Sequence, residues 1–92
     1  MSETRERQVA DELEAFLREQ FPATAGGRLR RDVDLFETGV VDSVGVAETL
    51  AHLEERYEIE IPDDVLLADD FTSIDGIAGW IVRLLADRAV AP

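Results

Sequence analysis

The sequence predicts an all-α fold, a small four-helix bundle with three long helices and one short one. Three stretches place apolar residues at three- and four-residue steps, as amphipathic helices do. The run 58–62 alternates polar and apolar residues, but no second run exists to pair with it as a strand. A length of 92 residues allows one domain, 1–92, with room for little besides its own core.

The first helix is expected from about residue 4 to residue 21. Val9, Leu13 and Leu17 form its apolar stripe together with Phe16, and Pro22 ends it because the residue before a proline avoids the helical region. Residues 22–42 then form a long loop, broken at Gly26 and Gly27 and held to the core by Leu35 and Phe36. A loop of this length in so small a domain tends to be functional.

Three further helices are expected over about 43–57, 63–68 and 73–88. The second helix can be capped by the side chain of either Asp42 or Ser43. Its polar side carries Glu48, Glu54 and Glu55. The single histidine, His52, is expected on its surface. The short helix begins at Pro62-Asp63-Asp64, since proline and acids both suit a first helical turn.

Charge is unevenly distributed along the chain. The net charge is −12, and residues 32–70 hold thirteen acids against Arg56 alone, whereas the acids and arginines on either side cancel. Such a segment repels phosphates, which excludes nucleic acid as a partner, and it attracts basic protein surfaces. A solvated acidic face kept for solubility is the alternative. There is no apolar run that could span a membrane, no signal peptide and no cysteine, so the expectation is a cytoplasmic monomer.

Ser43 is the residue with the best claim to chemistry, because it ends the long loop, follows an acid and opens an acidic helix. A serine hydrolase is excluded: position 41 is valine where a nucleophile elbow needs glycine, and His52 lies nine residues along the same helix. A calcium loop starting at Asp32 also fails, because Phe36 and Glu37 occupy positions that need an oxygen ligand and a glycine. No catalytic residues and no metal ligands are therefore assigned.

The stretch Asp34-Leu35-Phe36-Glu37-Thr38-Gly39-Val40-Val41-Asp42-Ser43-Val44 resembles the acyl and peptidyl carrier proteins. Glu58-Ile59-Glu60-Ile61-Pro62 and Phe71-Thr72-Ser73-Ile74 are also similar to that family. The resemblance implies an acyl-carrier-protein-like bundle and a 4′-phosphopantetheine arm attached covalently to Ser43. It implies that Asp42 and Val44 flank the attachment site, and that cargo travels as a thioester on the arm's thiol.

The same resemblance implies a non-catalytic protein that serves several enzymes. These partners are a phosphopantetheinyl transferase, an acyl- or aminoacyl-loading enzyme, and downstream synthases or transferases with basic patches. Glu48, Glu54 and Glu55 are the expected docking acids.

Two positions depart from the family pattern. Val44 stands where leucine or methionine is usual, and Gly45 follows it where a polar residue is usual. A run of Asp-Ser-apolar-Gly is similar to D-alanyl carrier proteins and to some discrete carriers of natural-product pathways. The resulting hypothesis is a stand-alone carrier of polyketide or nonribosomal-peptide type, with Gly45 favouring an aminoacyl cargo. A housekeeping fatty-acid carrier and an unmodified helical interaction module remain as alternatives.

Overall fold

A computed structural model describes residues 2–21 and 29–90, and all regular structure in these ranges is helical. The helices are α1 (Ser2–Gln20), α2 (Ser43–Tyr57), α3 (Asp63–Leu66) and α4 (Ile74–Val90). The predicted all-α fold of three long helices and one short helix is confirmed. The predicted break at Gly26 and Gly27 and the stop at Pro22 lie outside the described residues. Within the described ranges, no helix is long and apolar enough to cross a bilayer.

Helices α1 and α4 pack against each other and form the centre of the core. The predicted stripe of α1 is buried through Val9, Leu13 and Leu17, and α4 contributes Ile74 and Ile81 from the facing side. Each fully buried side chain of this size stabilises the fold by roughly 1.5–3 kcal/mol relative to its exposed state. These two helices therefore supply much of the apolar burial in the chain.

The loop that precedes α2 is tied to the start of α4 by backbone hydrogen bonds. The N–H of Leu35 donates to the carbonyl of Thr72 at 2.7 Å, and the N–H of Asp75 donates to the carbonyl of Arg31 at 2.9 Å. Leu35 is buried as expected. Phe36 is not, since 44% of it is exposed, so the loop is held by Leu35 and by backbone bonds.

Arg31 also connects the loop to α1 through its side chain. Its guanidinium donates to Glu14 at 2.8 Å and to Asp11, while Arg18 donates to the other oxygen of Glu14 at 3.0 Å. The hydrogen bond from Arg31 is the largest influence that holds the pKa of Glu14 below its usual value, followed by the bond from Arg18.

Helix α2 is braced against α1 at its second half. The rings of Phe16 and His52 stack with centroids 4.0 Å apart, so His52 is half-buried against α1 and the expectation of a surface histidine was wrong. Further along, the hydroxyl of Tyr57 donates to Glu12 at 3.1 Å, and Arg56 pairs with the same carboxylate at 2.6 Å. Burial, with the nearby charge of Glu12, raises the pKa of Tyr57 to about 12.

The connection from α2 through α3 to α4 depends on two special backbone positions. Glu58 ends α2 in the left-handed region at φ 53°. Gly76, in the first turn of α4, approaches the backbone of Asp70 so closely that a Cβ there would lie 1.6 Å from its carbonyl oxygen. Since the Ser73 hydroxyl accepts from the N–H of Gly76 at 3.0 Å, it caps α4, which starts at Ile74.

Candidate functional site: a loop-to-helix junction on an acidic surface

Ser43 is the first residue of α2, at the point where the loop from residue 29 ends. Val40 and Val41, which come just before Asp42, are buried and anchor the backbone on the N-terminal side of the junction. The flanking residues Asp42 and Val44 are exposed, and Val44 is 68% exposed. The junction therefore lies at the surface on a backbone that is held from behind.

The side chain of Asp42 accepts the capping hydrogen bond at the start of α2. Its Oδ1 accepts from the N–H of Gly45 at 2.8 Å, and its carbonyl accepts from the N–H of Val46 at 2.8 Å. Its extended backbone is typical of a capping residue. The sequence left the choice between Asp42 and Ser43 open, and the structure assigns the capping role to Asp42.

The residues before the junction form a compact turn, in which an acid, a glycine and two apolar residues each have a structural part. Asp34 accepts from the N–H groups of Phe36 and Glu37 at 2.8 and 3.0 Å. Gly39 has φ 77°, which side-chain-bearing residues rarely adopt. The N–H of Val41 then donates to the carbonyl of Leu35 at 3.1 Å, closing the turn directly before the junction.

An apolar pocket of about 130 Å³ lies beside α2. Its walls come from the turn, from the half-buried stripe of α2 and from residues around α3 and the start of α4; they are Leu35, Phe36, Val41, Val46, Thr49, Leu50, Leu53, Leu66, Phe71, Thr72 and Ile77. The Thr49 hydroxyl already donates to the carbonyl of Gly45 at 2.8 Å, and that of Thr72 to the carbonyl of Asp69 at 3.2 Å. The pocket therefore suits a small apolar group.

The three acids expected to dock partners occupy different environments. Glu48 and Glu55 are exposed on α2. Glu54 is half-buried, and its Oε2 accepts from the N–H of Ile61 at 2.9 Å, so this carboxylate holds the segment that follows α2. Glu48 and Glu55 are thus the ones whose charge is directed to solvent.

Sequence reasoning missed Leu67, which follows α3 and is 84% exposed. In the sequence, Leu67 stands out only as an apolar residue that does not continue the apolar face of a predicted helix. Together with Val44 it places large apolar side chains on the acid-rich part of the chain. Such residues, framed by charge, are common in protein–protein contacts.

Among the described residues no group of three or more His, Asp or Glu side chains is placed to hold a metal ion. A covalent arm needs an attachment point at the protein surface, from which it can extend into solvent. A small cargo on the arm needs only a shallow apolar pocket nearby. The exposed neighbours Asp42 and Val44 and the small pocket fit such a group. Asp42 and Val44 would flank it, and the group would supply the thiol that the cysteine-free chain lacks.

Comparisons with known proteins bear on the family of this chain. Residues 10–81 match the family model described as a phosphopantetheine attachment site. The D-alanyl carrier protein of Streptococcus sanguinis (strain SK36) is 36% identical over 53 residues, which are 58% of this chain and 67% of that protein. The D-alanyl carrier protein of Streptococcus suis (strain 05ZYH33) is 35% identical over 54 residues, 59% of this chain and 68% of that protein.

Proposed function

Because this chain belongs to the phosphopantetheine-attachment family of carrier proteins, we propose that Ser43 is the residue that bears its 4′-phosphopantetheine arm. Family membership makes the chain a non-catalytic carrier with a covalently attached arm. The arm's thiol holds an acyl or aminoacyl group as a thioester. Its flexible length raises the effective concentration of that group at each partner's active site.

The observation that carries the proposal is the location of Ser43 at a surface junction where another residue makes the helix cap. Only two serines, Ser43 and Ser73, lie within the matched residues 10–81. The Ser73 hydroxyl is committed to capping α4. At the start of α2 the side chain of Asp42 makes the helix cap.

Mass spectrometry of the intact protein tests the attachment directly. The purified chain is incubated with coenzyme A and a phosphopantetheinyl transferase of broad specificity, and we expect the mass to rise by one phosphopantetheine. Ser43→Ala abolishes the rise, whereas the matched control Ser73→Ala retains it at the cost of about 1 kcal/mol of stability from the lost cap. Modification of Ser43→Ala, or an unshifted wild-type mass with several transferases, would overturn the proposal.

The pocket favours a short cargo over a long fatty chain. An engineered apolar cavity of about 150 Å³ in another protein takes up a molecule the size of benzene. The pocket here is of similar size, about 130 Å³, and so accommodates roughly that much apolar matter. An aminoacyl or short acyl cargo is proposed on this ground and on the names of the relatives, which are D-alanyl carrier proteins.

A natural-product pathway of polyketide or nonribosomal-peptide type is the proposed setting. It rests on the Asp42-Ser43-Val44-Gly45 run alone, whereas the relatives support the aminoacyl cargo and go no further. The fatty-acid carrier is the second candidate. The cytoplasmic location and the monomeric state remain predictions.

Loading the arm with defined groups separates these cargoes. We expect alanyl and butyryl forms to melt within a degree or two of the unloaded form or slightly above it, and a dodecanoyl form to gain no further stability because its chain exceeds the pocket. A large rise in melting temperature with dodecanoyl would instead favour the fatty-acid carrier, since a buried chain stabilises the folded state that holds it.

The partners proposed are a phosphopantetheinyl transferase, a loading enzyme, and downstream synthases or transferases with basic patches. Glu48 and Glu55 supply exposed charge for that contact, and Val44 and Leu67 supply exposed apolar area. Glu54 contributes mainly by holding the segment after α2. Charge-steered contacts form quickly, and modest interfaces release quickly, as repeated exchange among enzymes requires.

A further inference from the structure

Gly45 lies in the first turn of α2, two residues after Ser43, and is buried. Glycine is a poor helix former compared with alanine, so its presence in a helix calls for a physical reason. A Cβ at this position would lie 2.9 Å from Cζ and 3.0 Å from Cε1 of Phe21, and 3.3 Å from Oδ1 of Asp42. The aromatic ring of Phe21 thus occupies the space that any larger residue would need.

Phe21 directly follows the last residue of α1. Its N–H donates to the carbonyl of Leu17 at 2.8 Å, which continues the hydrogen-bond pattern of that helix, and its side chain packs on the core. The ring is planar and rigid, so it moves away from Gly45 only by a rotation of the whole side chain or by a shift of the two helices. Carbon atoms in ordinary contact are about 3.5–4.0 Å apart, so a Cβ at position 45 requires a displacement of roughly 0.5–1 Å.

Three hydrogen bonds meet at the same turn. The N–H of Gly45 donates to Asp42, its carbonyl accepts from the buried Thr49 hydroxyl, and the N–H of Val46 donates to the carbonyl of Asp42. A displacement of Gly45 therefore disturbs the cap and the turn that includes Ser43. Phe21, held at the end of α1, therefore supports the first turn of α2 from the side.

We propose that Phe21 and Gly45 are positioning residues for the modification of Ser43: the ring of Phe21, seated on the bare Cα of Gly45, sets the placement of the first turn of α2. This inference rests on the proposed role of Ser43. It also gives Gly45 a physical reason that is independent of the cargo, namely the contact with Phe21.

Steady-state kinetics of phosphopantetheinyl transfer test this role, with the full chain, coenzyme A and a transferase. For Gly45→Ala we expect kcat to fall by about tenfold or more, because small misplacements of a reacting group are costly. The KM for the carrier should change less than twofold, since Glu48 and Glu55 still present their charge. Replacing Phe21 by the smaller leucine should make space for the added Cβ at position 45. We therefore expect the double variant Phe21→Leu/Gly45→Ala to recover most of the wild-type kcat.

Gly79→Ala is the matched control, because Gly79 is also a glycine within a helix. A Cβ there would meet only the carboxylate end of Glu6, at 3.0 Å, and that flexible side chain can move aside. We expect Gly79→Ala to be modified at the wild-type rate and to melt at a slightly higher temperature.

If Gly45→Ala does not fold, Phe21→Ala tests the same contact by removing the aromatic ring and leaving Gly45 in place. We expect a several-fold lower kcat together with faster hydrogen exchange at the amides of Gly45 and Val46. A wild-type rate in Gly45→Ala, no recovery in the double variant, or unchanged rate and exchange in Phe21→Ala would each overturn the inference. These outcomes differ from a failure of the proposed function, in which the wild-type chain itself is not modified.

Discussion

Helices α1 and α4, here called the scaffold, contrast with residues 32–70, here called the carrier segment. Helix α4 buries five apolar side chains, namely Ile74, Ile77, Ala78, Ile81 and Leu85, whereas among the described side chains of α2 the one buried apolar side chain is Leu53. The carrier segment holds thirteen acids against Arg56, whereas the charges on either side of it cancel. The scaffold supplies the centre of the core, whereas the carrier segment lines a small pocket and exposes acids such as Glu48 and Glu55.

The difference shows how a chain of 92 residues can have both a stable core and a surface that partner proteins contact in turn. Like charges in the carrier segment repel one another and destabilise the compact state. Burial of the scaffold offsets that repulsion. Variants in the scaffold should therefore change stability with little effect on modification, and variants on the outer face of the carrier segment should do the reverse.

Removing a central scaffold side chain should have the largest effect on stability. Ile81 of α4 is fully buried in the core, so Ile81→Ala loses its apolar contacts and leaves a cavity. We expect the free energy of unfolding in urea to fall by about 4 kcal/mol, within the range for such truncations. The fraction that remains folded should be modified at the wild-type rate. A slowed rate in that fraction would show that the scaffold also shapes the attachment site.

Gly76→Ala should come next, because it acts where the scaffold meets the carrier segment. The new Cβ would lie 1.6 Å from the carbonyl oxygen of Asp70, and backbone cannot yield as a side chain does. We expect a loss of about 3 kcal/mol, typical of severe overpacking. The indole N–H of Trp80 donates to Asp70 at 2.6 Å, so the fluorescence of this single tryptophan should report the shift. Stability equal to that of Gly79→Ala would contradict the close approach.

Glu14→Gln should have a smaller and pH-dependent effect. Arg31 and Arg18 hold the pKa of Glu14 below its ordinary value of 4.5. A lowered pKa in the folded state stabilises the fold above the unfolded value, and this stabilisation is lost as the pH falls through the folded value. We expect Glu14→Gln to cost about 1 kcal/mol near neutral pH, as for a partly exposed ion pair, and less as the pH falls below 4.5.

Urea unfolding of wild type and Glu14→Gln across that acid range measures the effect. The matched control is Glu19→Gln, which changes an exposed acid on the same helix. A difference between wild type and Glu14→Gln that stays constant as the pH falls would refute the assignment to the Arg31 pair.

The smallest effect on stability is expected from charge reversal on the carrier segment. Glu48 and Glu55 are exposed, so the double variant Glu48→Lys/Glu55→Lys should unfold within about 0.5 kcal/mol of wild type. Association with a transferase should slow by about tenfold at low salt, and less at high salt. Stopped-flow measurement at two salt concentrations checks both points. Glu19→Lys on α1 is the control, and an equal slowing there would remove the distinction between the two regions.

Much of the helical framework could be predicted from the sequence because it depends on local patterns. The stripe of Val9, Leu13 and Leu17 and the breaks at Glu58 to Pro62 concern residues that are close in the chain. The surface position of His52 was predicted wrongly because the ring's partner, Phe16, belongs to another helix. Phe36 was predicted to be buried with Leu35, yet only one of these neighbours could face the core.

The candidate site divides in the same way. Its chemistry, namely a serine after an acid at the start of an acidic helix and no cysteine anywhere in the chain, is legible in the sequence alone. The structure decided how that chemistry is held. The cap of α2 is made by Asp42, a local choice that the sequence left open, and the carboxylate of Glu54 accepts a hydrogen bond from Ile61. The contact between Phe21 and Gly45 joins residues 24 positions apart and depends on tertiary packing. Residue type and spacing determine which groups the chain offers. The distances between groups far apart in the chain depend on packing, and these distances assign each group its partner.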